Sequence, residues 1–335
     1  MRKKIGLIGA GLVGPRHART ITAQPHCELT AVLATGEDES RQLAAEYDAT
    51  YFTSSKDFFV NDYDGVVIAT PNETHCYYLN ICAEQGIPAL VEKPLFSSTR
   101  DLNHLAGGNE DYFSSKVLVG HHRHHYKKIQ LLKSMILRGQ LGQLTAINGL
   151  ALLYKPDEYF EQGPWRKNKH IGGVGLINLT HDLGVFRFLC GEIVEFEAFK
   201  SNSNRGFDAE ETIALLLKFE NGCVGSLIVS DCSVSAHSWE LTVGENPAYP
   251  RQNQDCYTIS GTEGTVSFPS MTVNYYSDRK SWWNELLLRK ETGVDNDPFQ
   301  EQLRHFIDVI DGRAAPLVSF ADGLKILNIV ESIIE

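Results

Sequence analysis

No stretch of about 18 consecutive apolar residues occurs in the chain, so no membrane-spanning helix and no membrane partner are expected. A basic excess is missing as well. Against 42 Asp and Glu stand 31 Lys and Arg, for a formal net charge of −11. Nucleic acid is therefore not expected as a partner. Cysteine is sparse: seven, at 27, 76, 82, 190, 223, 232 and 256, odd in number and without a C-x-x-C pair. They read as reduced thiols, mostly in the core, of a cytoplasmic protein. Internal repeats and low-complexity tracts are absent. The opening Met1-Arg2-Lys3-Lys4 carries the charge of a signal-peptide n-region. The apolar run behind it is short and broken by Gly6 and Gly9, so no secretory signal is expected. What is there is 335 residues, enough for two domains of ordinary size, with 42% hydrophobic residues.

The most informative stretch is Lys4–Thr20, KIGLIGAGLVGPRHART. Ile5–Ile8 is apolar, too short for a helix and bounded by glycine, which predicts a buried strand. Gly9, Gly11 and Gly14 follow in the order Gly-x-Gly-x-x-Gly, then a helix through His17 and Arg19. In a dinucleotide-binding turn the first glycine permits the tight turn, and the second lets backbone approach a pyrophosphate. The third lets the helix pack on its strand. The helix start, with Leu12 and Val13 in the turn before it, offers N–H groups and a positive dipole end to phosphates. The plain alternative is a strand–helix turn with no ligand. The strand before and the helix after favour the dinucleotide reading.

Glu28–Ala34 predicts the second strand, and Glu37–Tyr47 a helix. The end of the second strand faces the adenosine ribose in such folds. Ala34 and Thr35 stand there, with Glu37 and Asp38 just beyond. The nearby acids favour NAD and the missing acid at the strand end favours NADP; the choice stays open, with NAD slightly ahead. Gly65–Ala69 predicts a third strand, stopped by Pro71. Asn72 is placed to cap a helix from about Glu73 to Gln85, ended by Gly86. Ala89–Val91 and Val117–Gly120 predict further strands, and Leu102–Leu105 a short helix. This alternation signals a parallel sheet with helices on both faces. Ligands on such sheets sit beyond the carboxyl ends of the strands. The loops of interest are thus Gly9–Gly14, Thr70–Asn72, Glu92–Pro94 and His121–His125.

Past residue 120 the pattern changes. A helix over about Tyr126–Arg138 precedes a run of strands: Thr145–Leu153, Val194–Ser201, Glu211–Phe219, Cys223–Ser230, Glu240–Val243, Tyr257–Ser260, Thr265–Phe268 and Thr272–Tyr276. Asn221-Gly222 is a strong hairpin signal. One helix, Val174–Leu189, interrupts the run, and Pro298–Ile310 and Ala321–Ile334 close the chain. The fold class is an α/β Rossmann domain over 1–121, then an α+β domain over 122–335 with a large, mostly antiparallel open sheet. The free face of that sheet is available for subunit contact.

In this order Gly9-Ala10-Gly11, Gly14, His17, Ala69–Asn72 with His75, Gly86, Glu92-Lys93-Pro94-Leu95, and Gly172-Gly173 with His181 resemble the glucose–fructose oxidoreductase / inositol dehydrogenase / rhizopine-catabolism (Gfo/Idh/MocA) family over nearly the whole chain. The Glu-Lys-Pro step behind a glycine-rich turn is the most specific part. A narrower resemblance, to uncharacterised members, lies in Tyr159-Phe160, Trp165-Arg166, Gly172-Gly173 and Ile177–Asp182. The resemblance implies a nicotinamide-dinucleotide oxidoreductase, using NAD or NADP on a hydroxyl or keto group of a sugar, cyclitol or related polyol. It implies a homodimer or homotetramer formed through the C-terminal sheet. It also implies a cofactor site drawn from Gly9, Gly11, Leu12, Val13, Gly14, Ala34, Thr35, Thr70, Pro71, Asn72, His75, Glu92 and Lys93.

Lys93, directly after a strand, is placed to hydrogen-bond a substrate oxygen and to stabilise alkoxide charge. The ordinary alternative is a surface lysine. A Lys93–Pro94 cis bond is also anticipated, since cis prolines mark special turns. His181 matches the family's catalytic histidine and can take the hydroxyl proton; otherwise it is a core or capping residue. The family's aspartate four residues earlier is here Ile177, with Asn178 and Asp182 flanking the gap. Asn178 at i,i+3 shares a helical face with His181, but an amide accepts no proton as a carboxylate does. Substrate contact is further assigned to Arg123, His124, Trp165 and Arg166, with Tyr154, Lys155 and Tyr159 as weaker candidates. Trp165 offers a stacking face and Arg166 a fork; the alternative is a loop packed on the second domain. His121–His125 holds no Cys, Asp or Glu to complete a metal site, and no metal is expected. Two rival functions remain. One is a dinucleotide-binding sensor, motivated by Ile177. The other is a lyase or hydrolase that retains its NAD.

Overall fold

The computed structural model describes residues 2–36 and 38–335; Glu37, weighed above beside Asp38, lies outside the described residues. Two compact units divide the chain. The first comprises Met1–His125 and Asp297–Glu331, the second Tyr126–Asn296 and Ser332–Glu335. The closing segment 297–331, read from sequence as part of the second domain, falls with the first unit.

In the first unit six parallel strands form one sheet: β1 (Lys3–Ile8), β2 (Cys27–Leu33), β3 (Thr50–Phe52), β4 (Gly65–Ile68), β5 (Ala89–Val91) and β6 (Val117–Val119). Their order is β3-β2-β1-β4-β5-β6. Strands β4, β5 and β6 are buried at every residue. That is the signature of strands covered on both faces, and it explains why they read as short unbroken apolar runs. Helices α1 (Gly14–Thr22), α2 (Asp38–Glu46), α3 (Ser55–Phe58), α4 (His75–Gln85) and α5 (Glu110–Lys116) connect them. Sequence periodicity did not reveal β3, α3 or α5, which are too short to establish a period. Asn72 was expected to cap α4. Instead Asn72–Thr74 forms a 3-10 turn, and the Thr74 hydroxyl donates to the Pro71 carbonyl at 2.8 Å.

The second unit opens with α6 (Lys127–Leu137), continues into β7 (Leu144–Leu152) and α7 (Asp157–Glu161), and then α8 (Thr180–Cys190). Strands β8 (Ile193–Ser201), β9 (Thr212–Phe219), β10 (Val224–Ser230), β11 (Tyr257–Gly261), β12 (Thr265–Phe268), β13 (Thr272–Tyr275) and β14 (Leu287–Lys290) complete an eight-stranded sheet, in the order β14-β13-β12-β11-β7-β10-β9-β8. Every pairing is antiparallel except β7 with β10. β9 alternates buried and solvent-facing residues, because only one face is covered. The expected strand Glu240–Val243 is a correction: Trp239–Thr242 is a helical turn, α9. Ser238 caps it by accepting from the Leu241 N–H at 3.3 Å, and Trp239 is buried with its indole N–H on Glu245 at 2.7 Å. An N-cap serine outweighed the apolar alternation.

All seven cysteines are free thiols and six are buried. Among the described residues no helix is long and apolar enough to cross a membrane.

Candidate active site

In the first unit the glycine turn has the three features its spacing requires. Gly9 has φ +100°, and a Cβ there would lie 2.4 Å from the Ala69 carbonyl oxygen, so the turn accepts no side chain. A Cβ on Gly14 would lie 2.6 Å from the Gly9 carbonyl, so α1 packs directly on the strand turn. At Gly11 a Cβ would meet nothing within 4 Å, which leaves backbone open to a ligand. Gly11 and Leu12 are exposed. Val13 occupies the N-cap of α1 without a side-chain cap, and the first turn holds no acid. These residues fit a pyrophosphate: open backbone, unspent N–H groups and no competing negative charge.

The adjoining loops are tied to one another. His75 is fully buried. Its Nδ1 faces the carbonyls of Pro94 and Leu95 at 3.2 and 3.1 Å, and its Nε2 faces that of Thr70 at 3.0 Å. Burial pushes its pKa below the usual 6.5, against the pull of the carbonyls. His75 therefore holds the Thr70–Asn72 loop to the Glu-Lys-Pro corner and presents no face to a ligand. Ala34 and Thr35 follow β2, with Asp38 in the first turn of α2.

At the corner the Lys93–Pro94 bond is cis, as anticipated. Lys93 is half-buried, while Glu92 before it is buried. One Glu92 oxygen meets His17 Nε2 at 2.8 Å; the other accepts from the Lys93 backbone N–H at 3.2 Å. Burial alone would raise the Glu92 pKa. The hydrogen bond and charge of His17, with Lys93 and His122, overcome this and hold it lowered. His17, a buried residue on α1, thus couples the glycine turn to the corner. The signal available was a histidine one helical turn past the last glycine, and nothing in the sequence indicated its partner.

Arg123 and His124 lie in a 3-10 turn, His122–His125, each only 3% exposed. The turn packs on the helix Pro298–Ile310: His122 stacks on Phe299 with ring centroids 4.5 Å apart, and His125 lies 5.3 Å from His305. Burial, with the neighbouring His124 and Lys93, pushes His121 well below 6.5; burial and His305 do the same to His125. Arg123 and His124 are buried within this turn.

In the second unit the helix carrying His181 begins irregularly. Gly175–Leu179 is a π turn, and α8 starts at Thr180. The Gly175 N–H donates to Glu210 Oε1 at 2.9 Å, and the Thr180 hydroxyl reaches back to the carbonyls of Gly175 and Leu176. Spacing arguments that assume 3.6 residues per turn do not carry across such a turn. This applies to both Ile177 at four residues and Asn178 at three residues before His181. Asp182 is drawn the other way, accepting from the buried Tyr257 hydroxyl.

Asn178 instead meets Lys155, whose Nζ donates to Asn178 Oδ1 at 2.6 Å. Lys155 is buried, 3.4 Å from Asp231, and its Nζ lies 5.0 Å from the centroid of the Tyr159 ring. Burial lowers its pKa, partly offset by Asp231. Arg205 pairs with the same Asp231 at 2.5 Å. The Arg166 guanidinium stacks on the Tyr159 ring at 3.9 Å and donates to the Tyr159 carbonyl. Trp165 is half exposed beside it, 5.4 Å away. Gly163 and Gly172 make room: a Cβ on either would come within 2.8 Å of Arg166 atoms. Lys155, a minor candidate from sequence, is thus at the centre of this cluster; Asp231 and Arg205 had no sequence signal.

Two family models match. "Oxidoreductase family, NAD-binding Rossmann fold" covers residues 3–110, and "GFO/IDH/MocA C-terminal domain" covers 129–267. The chain is 25% identical to the rhizopine catabolism protein MocA of Rhizobium meliloti, over 100% of this chain and 95% of that one. It is 22% identical to the myo-inositol 2-dehydrogenase of Thermotoga maritima, over 96% and 92%. The crystal structure of a myo-inositol dehydrogenase from Corynebacterium glutamicum superposes with a TM-score of 0.76 at 21% identity, covering 99% and 96%. With a glycine turn shaped for a pyrophosphate, a parallel six-stranded sheet and both family models matched, the chain belongs to the Gfo/Idh/MocA family of NAD(P)-dependent oxidoreductases.

Proposed function

We propose that the protein transfers hydride between a nicotinamide dinucleotide and the carbinol or carbonyl carbon of a sugar, cyclitol or related polyol. When bound, the cofactor supplies the hydride acceptor or donor. The observation that carries the reading is the His17–Glu92–Lys93 corner beside a glycine turn with open backbone at Gly11. In the direction of oxidation the Lys93 ammonium hydrogen-bonds the reacting oxygen and stabilises its developing negative charge, and the His181 imidazole takes the hydroxyl proton. Gly9, Gly11, Leu12, Val13 and Gly14 would hold the pyrophosphate of the dinucleotide, Ala34 and Thr35 its adenosine ribose, and Thr70, Pro71, Asn72 and Lys93 its nicotinamide end. Asp38 gives NAD the advantage over NADP. The names of the relatives, a myo-inositol dehydrogenase and a rhizopine catabolism protein, support a polyhydroxylated substrate.

The protein acts in the cytoplasm, consistent with seven unbridged thiols. It assembles as a homodimer or homotetramer through the free face of its larger sheet. There Phe199, Ala214, Ile228 and Leu150 form one row across β8, β9, β10 and β7, and Phe199 is 77% exposed.

Titration with NAD(H) and NADP(H), then turnover on a polyol panel followed by the absorbance of reduced nicotinamide, tests the reading. Binding with turnover supports it. Tight binding with no turnover points to the sensor, which Ile177 in place of an acid favours. Product without net change in nicotinamide absorbance points to a lyase or hydrolase that recycles its NAD. No binding of either dinucleotide defeats all three.

A further inference from the structure

The second unit offers hydrogen-bond donors and positive charge where a polyol site would offer both donors and acceptors. An ammonium has three donors and no acceptor, so Lys155 fixes the orientation of the Asn178 amide: Oδ1 faces Lys155, and the NH2 group faces away. Among the described residues nothing accepts from that NH2 group. Arg166, 8% exposed, has no carboxylate within 4.0 Å among the described residues, and its Nε–H finds no acceptor. Lys155 and Arg166 address the same Tyr159 ring at 5.0 and 3.9 Å, so the two charges lie within 8.9 Å of each other. The acid beside Lys155, Asp231, is shared with Arg205.

Holding a guanidinium away from water without a counter-charge is costly, and here the fold makes space for it at Gly163, where a Cβ would lie 2.8 Å from its Cζ and Nε. A neutral hydroxyl would satisfy the amide and leave the charge uncompensated. A carboxylate does both, and its planar pair of oxygens matches the fork of Arg166 and the flat amide.

We propose that the second unit recognises a carboxylate on its ligand through Asn178 Nδ2, Arg166 and Lys155, so that the substrate is an acidic polyol, a sugar acid or cyclitol acid, rather than a neutral one. This rests on the oxidoreductase reading for its chemistry but not for its binding. An aspartate at 178 would repel such a ligand; the asparagine, oriented by Lys155, attracts it.

Calorimetric titration of the dinucleotide-saturated protein with gluconate and glucuronate, glucose and myo-inositol, and glucose 6-phosphate tests this. The sugar acids should bind at least about tenfold more tightly than their neutral counterparts. Asn178→Asp should erase that preference. Arg166→Gln should weaken the acids alone, and Arg166→Lys should restore part of the loss. Thermal melts of each variant separate a local effect from misfolding, and Asn178→Asp serves if the Arg166 variants fail to fold. Equal binding of neutral and acidic ligands, tighter binding of the sugar phosphate, no acid binding, or a preference that survives both Asn178→Asp and Arg166→Gln would overturn it. Repeating the titration without dinucleotide separates the two proposals: acids bound by a protein that takes no dinucleotide would defeat the oxidoreductase reading and leave this one standing.

Discussion

The two units build their candidate sites from different materials. The first uses backbone: a turn whose glycines admit no side chain at 9 and 14 and none to hinder a ligand at 11, with buried His75 and His17 tying neighbouring loops together. The second uses side chains: Lys155, Asn178, Arg166 and Asp231, brought together from four separate stretches of sequence. Backbone sites are fixed by local sterics and are therefore legible in a short motif. Side-chain clusters depend on long-range packing and are not.

That contrast can be broken by substitution, beginning with the glycines. Gly9→Val, with a side chain forced on the Ala69 carbonyl at positive φ, should destabilise the protein by about 4 kcal/mol or more in a denaturant melt. Gly11→Val should leave the melting temperature within about 2 °C yet weaken dinucleotide binding at least about tenfold by fluorescence titration. If both variants behave alike, the division of roles among the glycines is wrong.

Next in size is Lys93→Ala. It should lower kcat by about 100-fold to 1000-fold, with dinucleotide affinity largely kept; unchanged turnover would remove Lys93 from the mechanism. His17→Leu should then cost about 3 kcal/mol, because it leaves the Glu92 carboxylate buried without its partner. Lys218→Ala in the second unit, which breaks an exposed pair with Glu195, should cost less than about 0.5 kcal/mol. Comparable losses from the two would mean the His17–Glu92 contact carries no special weight.

Acid should act through the buried histidines of the first unit. His75, His121 and His125 have folded pKa values below the ordinary 6.5. The unfolded chain binds their protons more readily, so their contribution to stability is present above pH 6.5 and lost as pH falls below it. Glu92, lowered from 4.5, adds a loss only at more acid pH. The melting temperature should hold between pH 8 and 7 and drop by about 5 °C by pH 5.5; a flat profile would contradict the buried neutral histidines. The smallest effect on stability belongs to the free sheet face. Phe199→Asp with Ile228→Asp should convert the proposed assembly to monomer in light scattering and lower the melting temperature only by what that assembly contributes. An unchanged mass would place the subunit contact elsewhere.

Most of the first unit was legible from sequence. β1, β2, β4, β5 and β6 stand where the apolar runs placed them, and Gly86 ends α4 in the left-handed conformation as expected of a helix-terminating glycine. What escaped was short or governed by a capping residue: β3, α3 and α5, the Asn72 turn, and the α9 turn read as a strand. In the site, the Glu-Lys-Pro corner was found but its support by His17 was not. His75, Arg123 and His124, expected as ligand contacts, are buried.

The sequence by itself determined the parallel sheet, the glycine turn and the hairpin at Asn221-Gly222, because period, φ restriction and the absence of a side chain act within a few residues. Only the tertiary structure decided which way the amide of Asn178 faces, which acid answers His17, and that the helix bearing His181 starts with a π turn. Each of these depends on a partner distant in sequence, 23 residues for Lys155, 75 for Glu92 and 35 for Glu210, and no local pattern records such a meeting.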